Sequence, residues 1–362
     1  MMRDLRQKLL AAVPAPVAQG VRALRKNYRG WIDRFCFPAW LLWQCARHRK
    51  RAVVIWRIAA MGDIVCTLPL CLELRKHHPD RLLIYVTSRA FKDVVVLGQV
   101  VDVVLGINMA YGAPIWISTG ARSLGLIDKI YEPLTTDEKS PVGVHLHLVE
   151  DLARSCEVTL SDRQPRLHPS EELVEDALSR HGLKEERAQG RLLIGINGGH
   201  TWPVREWDAA KWQQVIDLIH ANYRATIIQF GLRLEPGIPD AYNHFTGVRS
   251  LVNQLQAPEM VALVAACQLM VSIDSGPVHL AGAVGTPVVG LFGAVNPQFR
   301  MPPDSPSLAV YSEVPCLFCH HQTPVGHWKS GCPYEIRCMK ELEVGPVFQA
   351  IQAMLPESAR RV

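Results

Sequence analysis

From residue 52 onward, short apolar runs alternate with longer segments whose apolar positions recur at helical spacing, the pattern of an α/β protein built on parallel sheets. "AVVIWRI" (52–58), "LLIYV" (82–86) and "VDVVLG" (101–106) read as buried strands, because they are almost continuously apolar and rich in β-branched residues; a helix is expected over 64–78. Residues 107–190 are less regular, and "SEELVEDALSRHGL" (170–183) predicts a polar amphipathic helix on the approach to a linker. A second series begins at "RLLIGIN" (191–197) and continues through helix 207–221, strand "ATIIQFG", helix 258–266, strand "LMVSID" (269–274), helix 276–284 and strand "PVVGLFG". The final helix, 344–354, places Val344, Val347, Ile351 and Leu355 at helical spacing and is expected to pack as core.

This pattern divides the chain into an arm (1–51), a first α/β domain (52–185), a second (190–343) and a C-terminal helix and tail (344–362). Ligands of such sheets lie beyond the carboxyl ends of the strands. The turns after 58, 197, 230 and 274 are therefore where chemistry is expected, and two facing units imply a cleft between them.

At 362 residues, 48% of them hydrophobic, the chain can bury a core large enough for two domains. Its ten cysteines, in a chain of this length without a cleavable signal sequence, point to the reducing cytoplasm rather than to a secreted disulfide scaffold. The net charge of +5 is local: residues 1–51 hold 12 Lys/Arg against Asp4 and Asp33, a balance of +10 that leaves −5 for the remainder. Within the arm, Trp31, Phe35, Phe37, Trp40, Leu41, Leu42 and Trp43 are bracketed by Arg29, Arg34 and the basic run Arg47 to Arg51. This apolar run is shorter than the roughly 20 residues a spanning helix needs. Two readings stay open: an amphipathic arm at the surface of an anionic membrane, or a segment packed on the globular body. Nucleic acid is disfavoured, since no nucleic-acid-binding motif accompanies the charge.

"SIDSGPVHLAGAVG" carries the clearest chemistry. A strand ends at Asp274, Ser275-Gly276 turn the chain, and Pro277 suits a helix start because the N–H it lacks would have had no partner there. The positive end of this helix attracts phosphate, Gly276 admits close approach, and His279 can point to the side of Asp274. On its own, Asp274 or Ser275 reads equally well as a helix cap. A second helix start, "INGGHTWPVREWDAAKW", offers Gly198-Gly199, His200, Thr201 and Arg205, the last able to pair with a diphosphate bidentately. The chain contains no G-x-G-x-x-G, no P-loop and no D-x-D, which argues for a diphosphate neutralised by protein groups rather than through a metal. In "RIAAMGDIVC", Asp63 taken alone is simplest as the N-cap of the following helix.

Together "VVIWRIAAMGDIVCTLPLCLELRKHHPD", "IGINGGHTWPVREWDAAKW" and "VSIDSGPVHLAGAVGTPVVGLFGAVNP" resemble, in order and spacing, the three signature regions of glycosyltransferase family 9, which includes the lipopolysaccharide heptosyltransferases. The resemblance covers about residues 52–355 and implies a GT-B fold, with two Rossmann-like domains facing a central cleft, acceptor on the first and nucleotide sugar on the second. It implies that Asp63 is the catalytic base on an acceptor-side turn with Met61 and Gly62, and that Asp274, Ser275, Gly276 and His279 form the donor motif D-[ST]-G-x-x-H. His200 and Thr201 stand where small hydroxyl residues usually contact the donor phosphates. Arg205 stands where the heptosyltransferases commonly carry lysine, and Glu235 matches an acidic residue near the ribose. The implied activity is inverting, metal-independent transfer of a sugar, heptose from ADP-heptose, to a lipopolysaccharide-core or other lipid-linked or surface saccharide at the inner face of the cytoplasmic membrane. The alternatives are a sugar-nucleotide epimerase of the same architecture, or a non-catalytic membrane-associated member. Finally, Cys316, Cys319, Cys332 and Cys338 within the loop 316–338 could supply four thiolates to a structural zinc or remain buried thiols; no other cofactor is expected.

Overall fold

The computed structural model describes residues 36–108, 125–135, 146–199, 202–231, 244–322 and 331–360. They form two compact units. The first holds a parallel sheet of β1 (Ala52–Trp56), β2 (Leu82–Ser88), β3 (Val103–Ile107) and β4 (Ile127–Tyr131), in the order β3-β2-β1-β4. Sequence periodicity did not disclose β4, because Asp128 and Lys129 interrupt its apolar run; it lies at the edge, where Asp128 pairs with Arg51 at 2.6 Å. A helix over 36–48 packs Phe37, Leu41 and Cys45 against the core of this sheet, with Phe37 edge-on to Trp56. Packing on the globular body, one of the two readings of the arm, is thus present on one face of this helix. Among the described residues no helix is long and apolar enough to cross a membrane.

The second unit takes in Ala60–His77, Asp93–Val100 and the described residues from Pro133 onward. Its parallel sheet comprises β5 (Leu192–Asn197), β6 (Ala225–Gln229), β7 (Val248–Ser250), β8 (Leu269–Ile273), β9 (Val288–Leu291) and β10 (Ser307–Val310), ordered β10-β9-β8-β5-β6-β7. Numbered within the unit from β7, this is 3-2-1-4-5-6, the doubly wound order, and the strand order reverses between β5 and β8. Trp207, Trp212, Ile216 and Ile219 pack on this sheet together with Val347 and Ile351 of the final helix, which is core as its spacing predicts.

Where one helix is expected over 64–78 there are two, Met61–Cys66 and Leu68–His77. Pro69 lacks the N–H that would continue the ladder, and the Ile64 carbonyl accepts from both the Thr67 N–H at 3.1 Å and the Thr67 hydroxyl at 2.7 Å. Ala60 is the N-cap of the first helix and its carbonyl accepts from Ile64 N–H at 3.1 Å, so Asp63 is the third helical residue rather than the N-cap. This helix lies against helix Gly276–Val284. A Cβ on Gly62 would sit 2.9 Å from His279 Cδ2 and 3.0 Å from Gly276 Cα.

Alanine in place of a helical glycine ordinarily stabilises by about 1 kcal/mol. At Gly62 the contact reverses the sign: Gly62→Ala is expected to destabilise by about 1–3 kcal/mol, as overpacking against backbone does, and urea denaturation measures it. A stabilised variant would show that the two helices separate without cost.

Candidate functional site

The site forms where β5 and β8 end, on the two sides of the strand-order reversal. After β5, buried Asn197 accepts from Gly199 N–H through Oδ1 at 3.0 Å and donates from Nδ2 to the Phe230 carbonyl at 3.4 Å, tying the turn to the end of β6. Gly199 has φ 89°, a conformation open to glycine, and a Cβ on Gly198 would approach the Trp212 indole nitrogen to 3.1 Å. Each glycine of the pair is therefore required, for a different reason.

After β8, buried Asp274 donates its N–H to the Leu291 carbonyl at 3.1 Å. Ser275 occupies the cap position of helix Gly276–Val284 in an extended conformation, but its hydroxyl donates back to the Ile273 carbonyl at 3.2 Å and makes no cap hydrogen bond. The simple capping role that Asp274 or Ser275 could have had is thus absent, and the helix start keeps the uncapped, positive character that favours an anion.

Arg205, in the short turn Pro203–Arg205, bridges the two strand ends. Its Nε lies 3.1 Å from Asp274 Oδ2, its Nη1 donates to the Asp274 carbonyl at 3.3 Å, and its guanidinium stacks 4.1 Å over the Trp202 ring. The ammonium of a lysine cannot combine planar stacking with a forked contact, which accounts physically for arginine here. The guanidinium is already paired within the protein, so a diphosphate would share it with Asp274 instead of taking it alone.

His279 is buried one turn into the helix, and burial pushes its pKa down to about 3. The Asp274 carboxylate opposes that shift, while the charges of Arg300 and Arg205 add to it. The ring is therefore neutral at physiological pH and can donate from one nitrogen and accept at the other. His147 accepts from Val149 N–H through Nδ1 at 3.3 Å, capping helix Leu148–Arg154, and donates from Nε2 to the Met301 carbonyl at 2.8 Å. Those two bonds require its neutral Nε2–H form, and burial holds its pKa below the ordinary value.

Of the expected residues, Met61, Gly62, Asp63, Arg205, Asp274, Ser275, Gly276 and His279 all belong to this one unit. His200, Thr201 and Glu235 lie outside the described residues. Asn197, Trp202, His147 and Arg300 were not singled out in the sequence. Asn197 before Gly-Gly and Trp202 near Arg205 carry a local signal, whereas His147 and Arg300 reach His279 through tertiary structure alone. Burial raises the pKa values of Cys319 and Cys338, neighbouring Cys316 and Cys332 raise them further, and all four are free thiols. Among the described residues no group of three or more His, Cys, Asp or Glu side chains is arranged to hold a metal ion.

Because the folded pKa of His279 lies below the ordinary 6.5, the unfolded chain binds more protons between about 3 and 6.5. The stabilisation is fully present above that window and is lost as pH falls through it. His279→Gln should flatten the fall of unfolding free energy from pH 6.5 to 4 by as much as about 1.4 kcal/mol per pH unit, measured by urea denaturation; an unchanged slope would place the titration elsewhere.

The family model for glycosyltransferase family 9 (heptosyltransferase) matches residues 141–329. The chain is 35% identical over 104 residues to lipopolysaccharide heptosyltransferase 3 of Escherichia coli, a stretch covering 26% of this chain and 29% of that protein. It is 30% identical over 145 residues to lipopolysaccharide heptosyltransferase 2 of Salmonella typhimurium, covering 38% of this chain and 42% of that protein. The matched stretch thus spans less than half the length of either curated relative. The crystal structure of the E. coli ADP-heptose lps heptosyltransferase II superposes with a TM-score of 0.60 at 17% identity, covering 84% of this chain and 98% of that one, a likeness of fold. The architecture is α/β of the GT-B type. The family match spans more than half of the chain and takes in the turn after β5 and the Asp274 motif, and the chain belongs to glycosyltransferase family 9, the heptosyltransferase family.

Proposed function

We propose that this protein is an inverting glycosyltransferase that moves a sugar, heptose from ADP-heptose, to a lipopolysaccharide-core or other lipid-linked saccharide at the inner face of the cytoplasmic membrane. The observation that carries this reading is the contact of Gly62 with Gly276 and His279, which draws the turn bearing Asp63 to the helix start beside Arg205 and Asp274. A base and an anion-attracting helix start are the two groups such a transfer needs.

In this mechanism the Asp63 carboxylate takes the proton of an acceptor hydroxyl as its oxygen attacks the anomeric carbon. The bond from that carbon to the diphosphate breaks with its electron pair, and the configuration inverts. The leaving group departs as an anion, so it calls for charge stabilisation by Arg205 and the helix start rather than for protonation. Neutral His279 can hydrogen-bond there without adding a buried charge. The chain's lack of a D-x-D sequence supports a reaction without a metal, and activity is expected to persist in a chelator.

Asp63→Asn should lower kcat on the order of a hundredfold or more, the scale of a lost general base, with donor affinity nearly unchanged; full activity with a verified acceptor would remove Asp63 from this role. Thermal-shift titration with ADP, UDP and GDP tests the donor, since a ligand of the native state raises its melting temperature. ADP is expected to shift it most and Arg205→Lys to reduce the shift; equal shifts with all three would count against an adenine nucleotide.

A further inference from the structure

The helix over 36–48 is apolar on the wrong side. Its inner face places Phe37, Leu41 and Cys45 in the core of the four-stranded sheet, and the polar residue Gln44 is buried with them. The opposite face presents Ala39, Leu42, Trp43 and Ala46 to solvent, with Leu42 and Trp43 each more than half exposed. No charged residue occurs from Phe35 to Ala46. A helix that is apolar all round is normally buried on every side, and this one is buried on one.

What covers the outer face is indicated by what flanks it. The helix runs into exposed Arg47, His48, Arg49, Lys50 and Arg51, and the Arg47 guanidinium lies 5.3 Å over the Trp43 ring. An exposed tryptophan and leucine beside a basic run match the layering of a lipid surface, with the ring at headgroup depth, the apolar atoms beneath it and the cations among the phosphates. We propose that the outer face of this helix docks the protein on an anionic bilayer, with Leu42 and Trp43 inserted and Arg47, Arg49 and Lys50 on the headgroup phosphates. Arg51 is tied to Asp128 of the sheet edge at 2.6 Å, which anchors the basic run to the fold. The docking involves none of the residues assigned to sugar transfer and does not depend on that assignment.

Co-sedimentation of the full chain with vesicles of phosphatidylcholine alone, and of phosphatidylcholine with an equal part of phosphatidylglycerol, tests it. Binding is expected to the anionic vesicles and to be released by salt. The Leu42→Ser/Trp43→Ser variant and the Arg47→Gln/Arg49→Gln/Lys50→Gln variant should each partition at least tenfold less, with unchanged circular dichroism and an unchanged thermal shift by ADP. Absence of binding to anionic vesicles, or undiminished binding by both variants, would overturn the proposal. So would a dimer in sedimentation velocity that Leu42→Ser/Trp43→Ser dissociates without any vesicle binding, because a second copy would then be the occupant. Vesicle binding without any nucleotide effect would leave the docking in place and remove the transferase reading instead.

Discussion

The approach of Gly62 to Gly276, close enough that a methyl group on the first would lie 3.0 Å from the Cα of the second, is the constraint on which the other distances in the site rest. Two helix starts meet there backbone to backbone, and the His279 ring closes the contact from the side. A larger residue at Gly62 would separate the turn that bears Asp63 from the strand ends that carry Arg205 and Asp274. Gly62 is needed for the thinness of its backbone, and neither glycine has the positive φ that usually explains a glycine in a turn.

Around this contact the buried charges are arranged to limit one another. A buried carboxylate or guanidinium is costly unless paired, and Asp274 and Arg205 meet through both the side chain and the main chain of the aspartate. Trp202 stacks on the guanidinium, so the arginine keeps its charge while packing like an aromatic. Burial makes a cation at His279 expensive, cationic Arg300 and Arg205 close by would make it a third, and the histidine is correspondingly neutral. The site therefore carries positive charge where an anion would arrive and a neutral hydrogen-bonding ring beside it.

The arm obeys a different constraint. Its helix satisfies the sheet with one face and leaves an apolar face outward, next to a run of basic residues. Packing on the body and the proposed docking on a bilayer, which read as alternatives in the sequence, would use opposite faces of one helix, because leucine, tryptophan and alanine recur all the way round it.

Alternation of apolar runs with helical segments was enough to determine the α/β class, most strands of both sheets and the helix start at Gly276, because buried strands and amphipathic helices leave their period in the chain. The motifs around Asp63, Arg205 and Asp274 were legible for the same local reason, since turns require glycine, proline and small polar residues at fixed offsets. The edge strand β4, the break before Pro69 and the absence of a cap at Ser275 were decided by hydrogen bonds that no period encodes. So was the environment of His279, where Arg300 and His147 arrive from distant segments. Sequence specifies what each residue can do; only the fold buries His279 and brings charges from separate segments close enough to add to that shift, because burial and charge coupling depend on distance in space and take no account of distance along the chain.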